Sequence, residues 1–235
     1  MLICICVFSF SAYQLYDIYR EAHMITEETK DLEQHVVKKD TKKDILEPDW
    51  DILKKENEDI VAWIYVPGLD WSFPVVQGQD NTYYLNHTAK KENNYRGAIF
   101  MDYKSQPEFK DGNTIIYGHS VEGGGMFTDL KKFADEPFFQ ENKYFYILTP
   151  TQNYRCDIFT FSKTKERSVY YSPAPDYSAL DQMKMEATYY HDVDPLDKNL
   201  VTLSTCDLDY GFDSINRLIL NAVLEPTDKP IELKK

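Results

Sequence analysis

Asn199-Leu200-Val201-Thr202-Leu203-Ser204-Thr205-Cys206 has the alternation of a β-strand. Successive side chains of a strand point to opposite faces. Leu200, Thr202, Ser204 and Cys206 therefore share one face, and Val201, Leu203 and Thr205 the other. The first face turns polar toward its end, which suits a strand that runs out into a groove. The chain then turns through Asp207-Leu208-Asp209-Tyr210-Gly211, and Arg217 opens a second apolar run, Leu218-Ile219-Leu220-Asn221-Ala222-Val223-Leu224. The loop between them is short enough to return the chain antiparallel, which makes Cys206 and Arg217 neighbours.

Working outward, strand-like runs fall at 62–66, 71–76, 97–101, 113–117, 144–148, 154–162, 200–205 and 215–224. Turn signals such as Pro67-Gly68 and Asp111-Gly112 separate them. Many short strands at this spacing predict a mainly β chain, either a closed or nearly closed barrel or a sandwich. Helices are expected over 11–37, over 48–60 with Pro48 in the first turn, and in short pieces at 81–87, 126–133 and 177–190. The last piece lies in a long excursion, 163–198, a length typical of binding walls and lids.

The 235 residues suffice for one ordinary domain and an additional segment. Aromatic residues make up 14%, led by 18 Tyr, which favours strands. A net charge of −13 argues against nucleic-acid binding, which needs a basic footprint. The four cysteines are Cys4, Cys6, Cys156 and Cys206. No metal-type pairing or disulfide-dense spacing links them, and Cys156, inside a strand-like run, reads as a packing residue. Residues 1–16 carry no charge before Asp17. This segment is expected to be the end of a membrane anchor whose start lies upstream, with a cleaved signal peptide and a buried amphipathic helix as the other readings. Acidic and basic residues then crowd 17–44, as in a solvated helical stalk.

Three residues carry candidate chemistry. Cys206 at a strand end is either a nucleophile or a buried structural thiol. Arg217 is either an anion stabiliser or the partner of Asp207, Asp209 or Asp213. His119 follows a strand-like run and precedes the Gly-rich turn Ser120-Val121-Glu122-Gly123-Gly124-Gly125, where it is either a proton carrier or a loop histidine without a role. Together the residue types suit acyl transfer through a thioester.

In these contexts the three residues resemble the sortase family. Tyr117-Gly118-His119, followed by Gly125-Met126-Phe127 and Leu130, looks like the sortase His motif. Thr202-Leu203-Ser204-Thr205-Cys206 looks like its TLxTC motif, and Asn216-Arg217-Leu218-Ile219 like its Arg strand. Asp80-Asn81, Tyr84-Leu85 and Gly97-Ala98-Ile99-Phe100-Met101-Asp102 extend the likeness, which covers about 45–225. The Ser before Thr-Cys, the helical N-terminal extension and the helix-bearing excursion before the Cys strand point to class B. A papain-like arrangement is disfavoured, because His119 precedes Cys206 and the Cys ends a strand.

The resemblance implies an eight-stranded sortase-type β-barrel with an N-terminal helical extension and a helix in the long loop before the Cys strand. The organisation it implies is an anchor at 1–16, a stalk at 17–44, a catalytic domain at 45–228 and a tail at 229–235. It implies a cysteine transpeptidase of a Gram-positive bacterium, endopeptidase-like in its first step, single-pass anchored in the cell membrane with its catalytic domain extracellular. Cys206 is then the nucleophile, His119 the general acid and base, and Arg217 the oxyanion stabiliser together with a backbone N–H near Asp207. Asn81, Leu85, Tyr117 and Ser204 match groove positions, and Tyr170 and Tyr171 are candidates for an aromatic wall. The implied partners are secreted proteins with a C-terminal signal similar to NPxTN or NPxTG and a peptidoglycan or lipid-linked amine. No metal and no cofactor is expected. A thiol hydrolase, a pilin-polymerising sortase and an inactive surface-binding module are the alternatives.

Overall fold

The computed structural model describes residues 2–39, 43–121, 123–211 and 214–233. The strands that build its main sheet are β1 (Ile60–Val66), β2 (Trp71–Val76), β3 (Ile99–Met101), β4 (Asn113–Tyr117), β5 (Tyr144–Leu148), β6 (Asn153–Lys165), β7 (Leu200–Cys206) and β8 (Asn216–Pro226). They lie in the order β8-β7-β4-β3-β2-β1-β5-β6, and β6 pairs back onto β8, which closes an eight-stranded barrel. The β4–β7 and β2–β3 neighbours are parallel, and the others antiparallel. Of the two architectures open to the periodicity, the barrel is the one that forms. Closure leaves no free edge among these strands.

Alternation sorts the apolar residues into layers. Val201, Leu203, Leu218, Leu220, Ala222 and Leu224 join the barrel interior. Leu200, Ile219 and Val223 face outward and pack under α4 (Tyr177–Glu186) with Tyr170 and Met183. β1 is buried along its whole length, because its outer residues Ile60, Trp63 and Tyr65 meet a layer that includes Leu32 and Leu53 of the N-terminal helices and Val36 of the turn after the first. Below the polar end of β7, Thr160, Asn221, Thr202 and Asn113 form a buried hydrogen-bonded chain across β6, β8, β7 and β4. Asn113 Nδ2 closes it by donating to the carbonyls of Tyr170 and Ser172, which ties the excursion to the sheet.

Several boundaries move. The helix expected over 48–60 is the shorter α2 (Trp50–Glu56); Asp49 caps it by accepting from Ile52 N, so Pro48 lies before the cap. Residues 189 and 190, expected to be helical, pair as a short strand on β6. α3 (Glu136–Glu141) was not expected, although Asp135 caps it and a proline lies in its first turn.

The expectation of a single-pass anchor is overturned. The apolar N-terminal residues form the first half of α1 (Leu2–Glu33), and among the described residues no helix is long and apolar enough to cross a membrane. The apolar stretch ends at Asp17 and is soon followed by Arg20 and Glu21. The second half of α1 lies along the barrel instead of standing free as a stalk. Glu21 O accepts from Asn94 Nδ2 at 2.9 Å, Glu28 Oε1 accepts from Lys90 N at 2.9 Å, and Leu32 is fully buried.

Candidate active site

The register of β7 and β8 sets Cys206 directly opposite Arg217. Cβ atoms of such a pair lie about 4.5–5.5 Å apart on one face of the sheet. On the other side of β7, Ser204 lies beside Tyr117 of β4, and Gly118 N donates to Ser204 O at 3.2 Å. The chain thus delivers His119 next to the end of the Cys strand. Gly118 permits this approach, since a Cβ there would come within 2.6 Å of Ile99 Cδ1 and 2.7 Å of the Phe127 ring. The turn behind His119 is held by Phe127 N donating to His119 O at 2.9 Å.

Cys206, His119, Arg217, Asn81, Leu85, Tyr117 and Ser204 all line one open groove of about 740 Å³. The structure therefore brings together the three candidate catalytic residues and the four matched groove positions. Of the two candidate wall tyrosines it keeps one. Tyr171 lines the groove and its hydroxyl is 2.7 Å from Ser204 Oγ. Burial raises the Tyr171 phenol above its ordinary value. Tyr170 is wholly buried behind it, receiving a hydrogen bond from Ser162 Oγ and donating to Met183 O, and burial pushes its phenol up to about 12.

The reactive groups are already engaged. His119 Nε2 is 2.8 Å from Leu85 O, a contact that needs the proton on Nε2, since a carbonyl only accepts. Arg217 Nη1 donates to Ser214 O at 2.6 Å and Asn216 O at 3.0 Å, while Nη2 donates to Glu166 Oε2 at 3.0 Å. Cys206 is partly exposed, whereas Cys156 is buried and its thiol is pushed well above the usual range by burial. Cys156 is a packing residue of the barrel interior.

The structure gives Arg217 a different acid from those its sequence surroundings offered. The Asp207 N–H donates to Asn216 O at 3.0 Å, continuing the antiparallel ladder past Cys206. Asp209 pairs with Lys131 at 2.5 Å, and Asp207 Oδ1 accepts from Asp209 N, so neither acid binds Arg217; Asp213 lies outside the described residues. The acid on Arg217 is Glu166, placed there because Arg217 pairs with Thr164 across β8 and β6. Only the strand register reveals this partner. Asp102 is another groove residue that the sequence did not single out for a role. It sits one residue past β3 and accepts from Asn81 Nδ2 at 2.8 Å and Tyr117 OH at 3.2 Å. Burial, then the Asp102 charge, raise the Tyr117 phenol well above its usual value. Its signal was an acid at a strand end beside a tyrosine-bearing strand.

A sortase-domain family model matches residues 64–225. Sortase B of Listeria monocytogenes is 34% identical over 178 residues, 73% of this chain and 72% of that protein. The chain belongs to the sortase family, class B. Sortase B of Staphylococcus aureus is 32% identical over 181 residues, 74% of each chain. Among solved structures, sortase B of Bacillus anthracis, crystallised with a molecule named AAEK1, superposes with a TM-score of 0.73 at 29% identity, covering 91% of this chain and all of that one (100%). The matched region holds the whole of the His, Cys and Arg elements of this sortase.

Proposed function

We propose that this class B sortase is a cysteine transpeptidase that cleaves a C-terminal sorting signal after Thr and passes the acyl group to a wall-peptide amine. The observation that carries the reading is the Cys206–Arg217 strand pair with His119 at the same groove. The Cys206 thiolate attacks the Thr carbonyl, and Arg217 donates to the oxygen as its negative charge grows. His119 gives its proton to the departing amine as the C–N bond breaks, which leaves a thioester on Cys206. An incoming amine then attacks the thioester, His119 takes its proton, and the thiolate returns. Peptide binding exchanges hydrogen bonds rather than creating them from nothing, because His119 and Arg217 begin on Leu85 O and Glu166.

The signal we assign is similar to NPxTN or NPxTG, which four groove positions (Asn81, Leu85, Tyr117 and Ser204) support by their match to class B motifs. Product analysis with a sorting peptide, with and without triglycine, tests the reading. Incorporation of triglycine after Thr is the expected result. A product that is always the free acid would make the protein a thiol hydrolase.

A further inference from the structure

The groove crosses the sheet rather than following one strand. Arg217 is on β8, Cys206 and Ser204 on β7, Tyr117 on β4 and Asp102 just past the end of β3, in that spatial order. From Cys206 on β7, two steps of about 4.8 Å between neighbouring strands reach β3, about 10 Å, the length of three extended residues at about 3.3 Å each. Asp102 therefore stands where a peptide extending back from the scissile bond places the residue about three positions away. Its carboxylate gathers donors: Oδ2 accepts from Asn81 Nδ2 and Tyr117 OH, and Oδ1 accepts from Lys104 N at 2.9 Å. Tyr103 N donates to Asn81 Oδ1 at 3.0 Å, so the Asn81 amide is held at both ends and cannot flip.

We propose that Asp102 is a specificity-determining positioning residue, holding Asn81 and Tyr117 so that the groove's far end offers one amide N–H and one phenol oxygen to the substrate. Asn81 Nδ2 has a second hydrogen, and the Tyr117 oxygen still has a lone pair to accept with. A donor beside an acceptor fits a carboxamide, whether from a side chain or a backbone peptide unit. Only a carboxylate serves all three donors, because an asparagine at 102 must turn its own NH₂ toward at least one of them. This inference rests on the peptide-transferring reading of the groove, and its test separates the two.

The test compares Asp102→Asn with the exchanged pair Asp102→Asn, Asn81→Asp. For the single variant, kcat/KM on the sorting peptide should fall about tenfold through KM, the loss expected of about one hydrogen bond, with kcat nearly unchanged. The exchanged pair restores a hydrogen bond between positions 81 and 102 but turns an acceptor toward the substrate. It should recover melting temperature without recovering kcat/KM. Recovery of kcat/KM by the exchange, or an unchanged KM in Asp102→Asn, would overturn the proposal. Direct titration of a fluorescent sorting peptide into Cys206→Ala protein, with and without Asp102→Asn, reads the same effect without turnover. Weaker binding there supports the proposal even if the acceptor turns out to be water, and equal binding overturns it.

Discussion

Replacing Arg217 with alanine separates holding the loop after Cys206 from stabilising charge at the reacting carbonyl. The guanidinium makes three hydrogen bonds, to Ser214 O, Asn216 O and Glu166 Oε2. The side chains of Arg217 and Glu166 are 19% and 42% exposed, so solvent screens the ion pair and its share of stability is about 0–1 kcal/mol. The two carbonyls belong to partly exposed residues and regain water, at a cost of about 1 kcal/mol together. Loss of about 1–2 kcal/mol lowers the melting temperature of a chain this size by about 2–8 °C. An oxyanion donor is worth far more to the rate, about 10²–10³-fold, or about 2.7–4 kcal/mol. The assay is cleavage of a fluorescence-quenched sorting peptide, with thermal melting in parallel and Glu166→Gln as the control that keeps the guanidinium. The expected pattern is a folded Arg217→Ala protein with kcat/KM down at least about a hundredfold and a Glu166→Gln protein down less than about tenfold. A folded Arg217→Ala protein that retained more than about a tenth of wild-type kcat/KM would refute the oxyanion role.

Other outcomes follow from the same geometry. A thiol-reactive sorting-peptide analogue should label Cys206 in the native protein, whereas Cys156 should stay unlabelled until denaturant is added, as peptide mapping would show. Tyr170→Phe removes a buried hydroxyl that bridges Ser162 and Met183 O, so it should cost about 1–3 kcal/mol of unfolding free energy. Tyr171→Phe loses only the Ser204 contact at the groove wall, so it should change peptide KM more than denaturant midpoint. Asp80 accepts from Tyr83 N, Thr82 N and the Thr82 hydroxyl, which hold its carboxyl below the ordinary value. Its native pKa being depressed, its support for the turn that carries Asn81 and Leu85 is present above the unfolded value of about 3.9 and lost as pH falls through the lower native one. Peptide binding to Cys206→Ala protein should therefore weaken below about pH 4, and an Asp80→Asn background should lack that step.

The strands were legible wherever one face packed inward and the other met something different. β7 shows this best, since Val201 and Leu203 fill the interior while Thr202 and Ser204 run from the buried polar chain to the groove. β3 came out shorter than expected, because Gly97 adopts φ +62° and its N–H and that of Ala98 bond outside the ladder, to Asn94 O and Tyr84 O. The catalytic candidates were legible because short-range features place them, a tight return loop for Arg217 and a strand end with a glycine for His119. Glu166 was not, since its meeting with Arg217 depends on the pairing of β6 with β8 rather than on any local pattern. The N-terminal segment shows the reverse error. Its apolar character was read correctly, and Ile5, Phe8, Phe10 and Tyr13 are indeed exposed on α1, but among the described residues no helix is long and apolar enough to cross a membrane.

Mass spectrometry of the enzyme quenched during turnover of a sorting peptide tests the central claim most directly. The account predicts an adduct equal to the peptide's N-terminal fragment ending in Thr, carried as a thioester on Cys206 and discharged by triglycine. An acyl group found on another residue, or cleavage by Cys206→Ala protein, would contradict it.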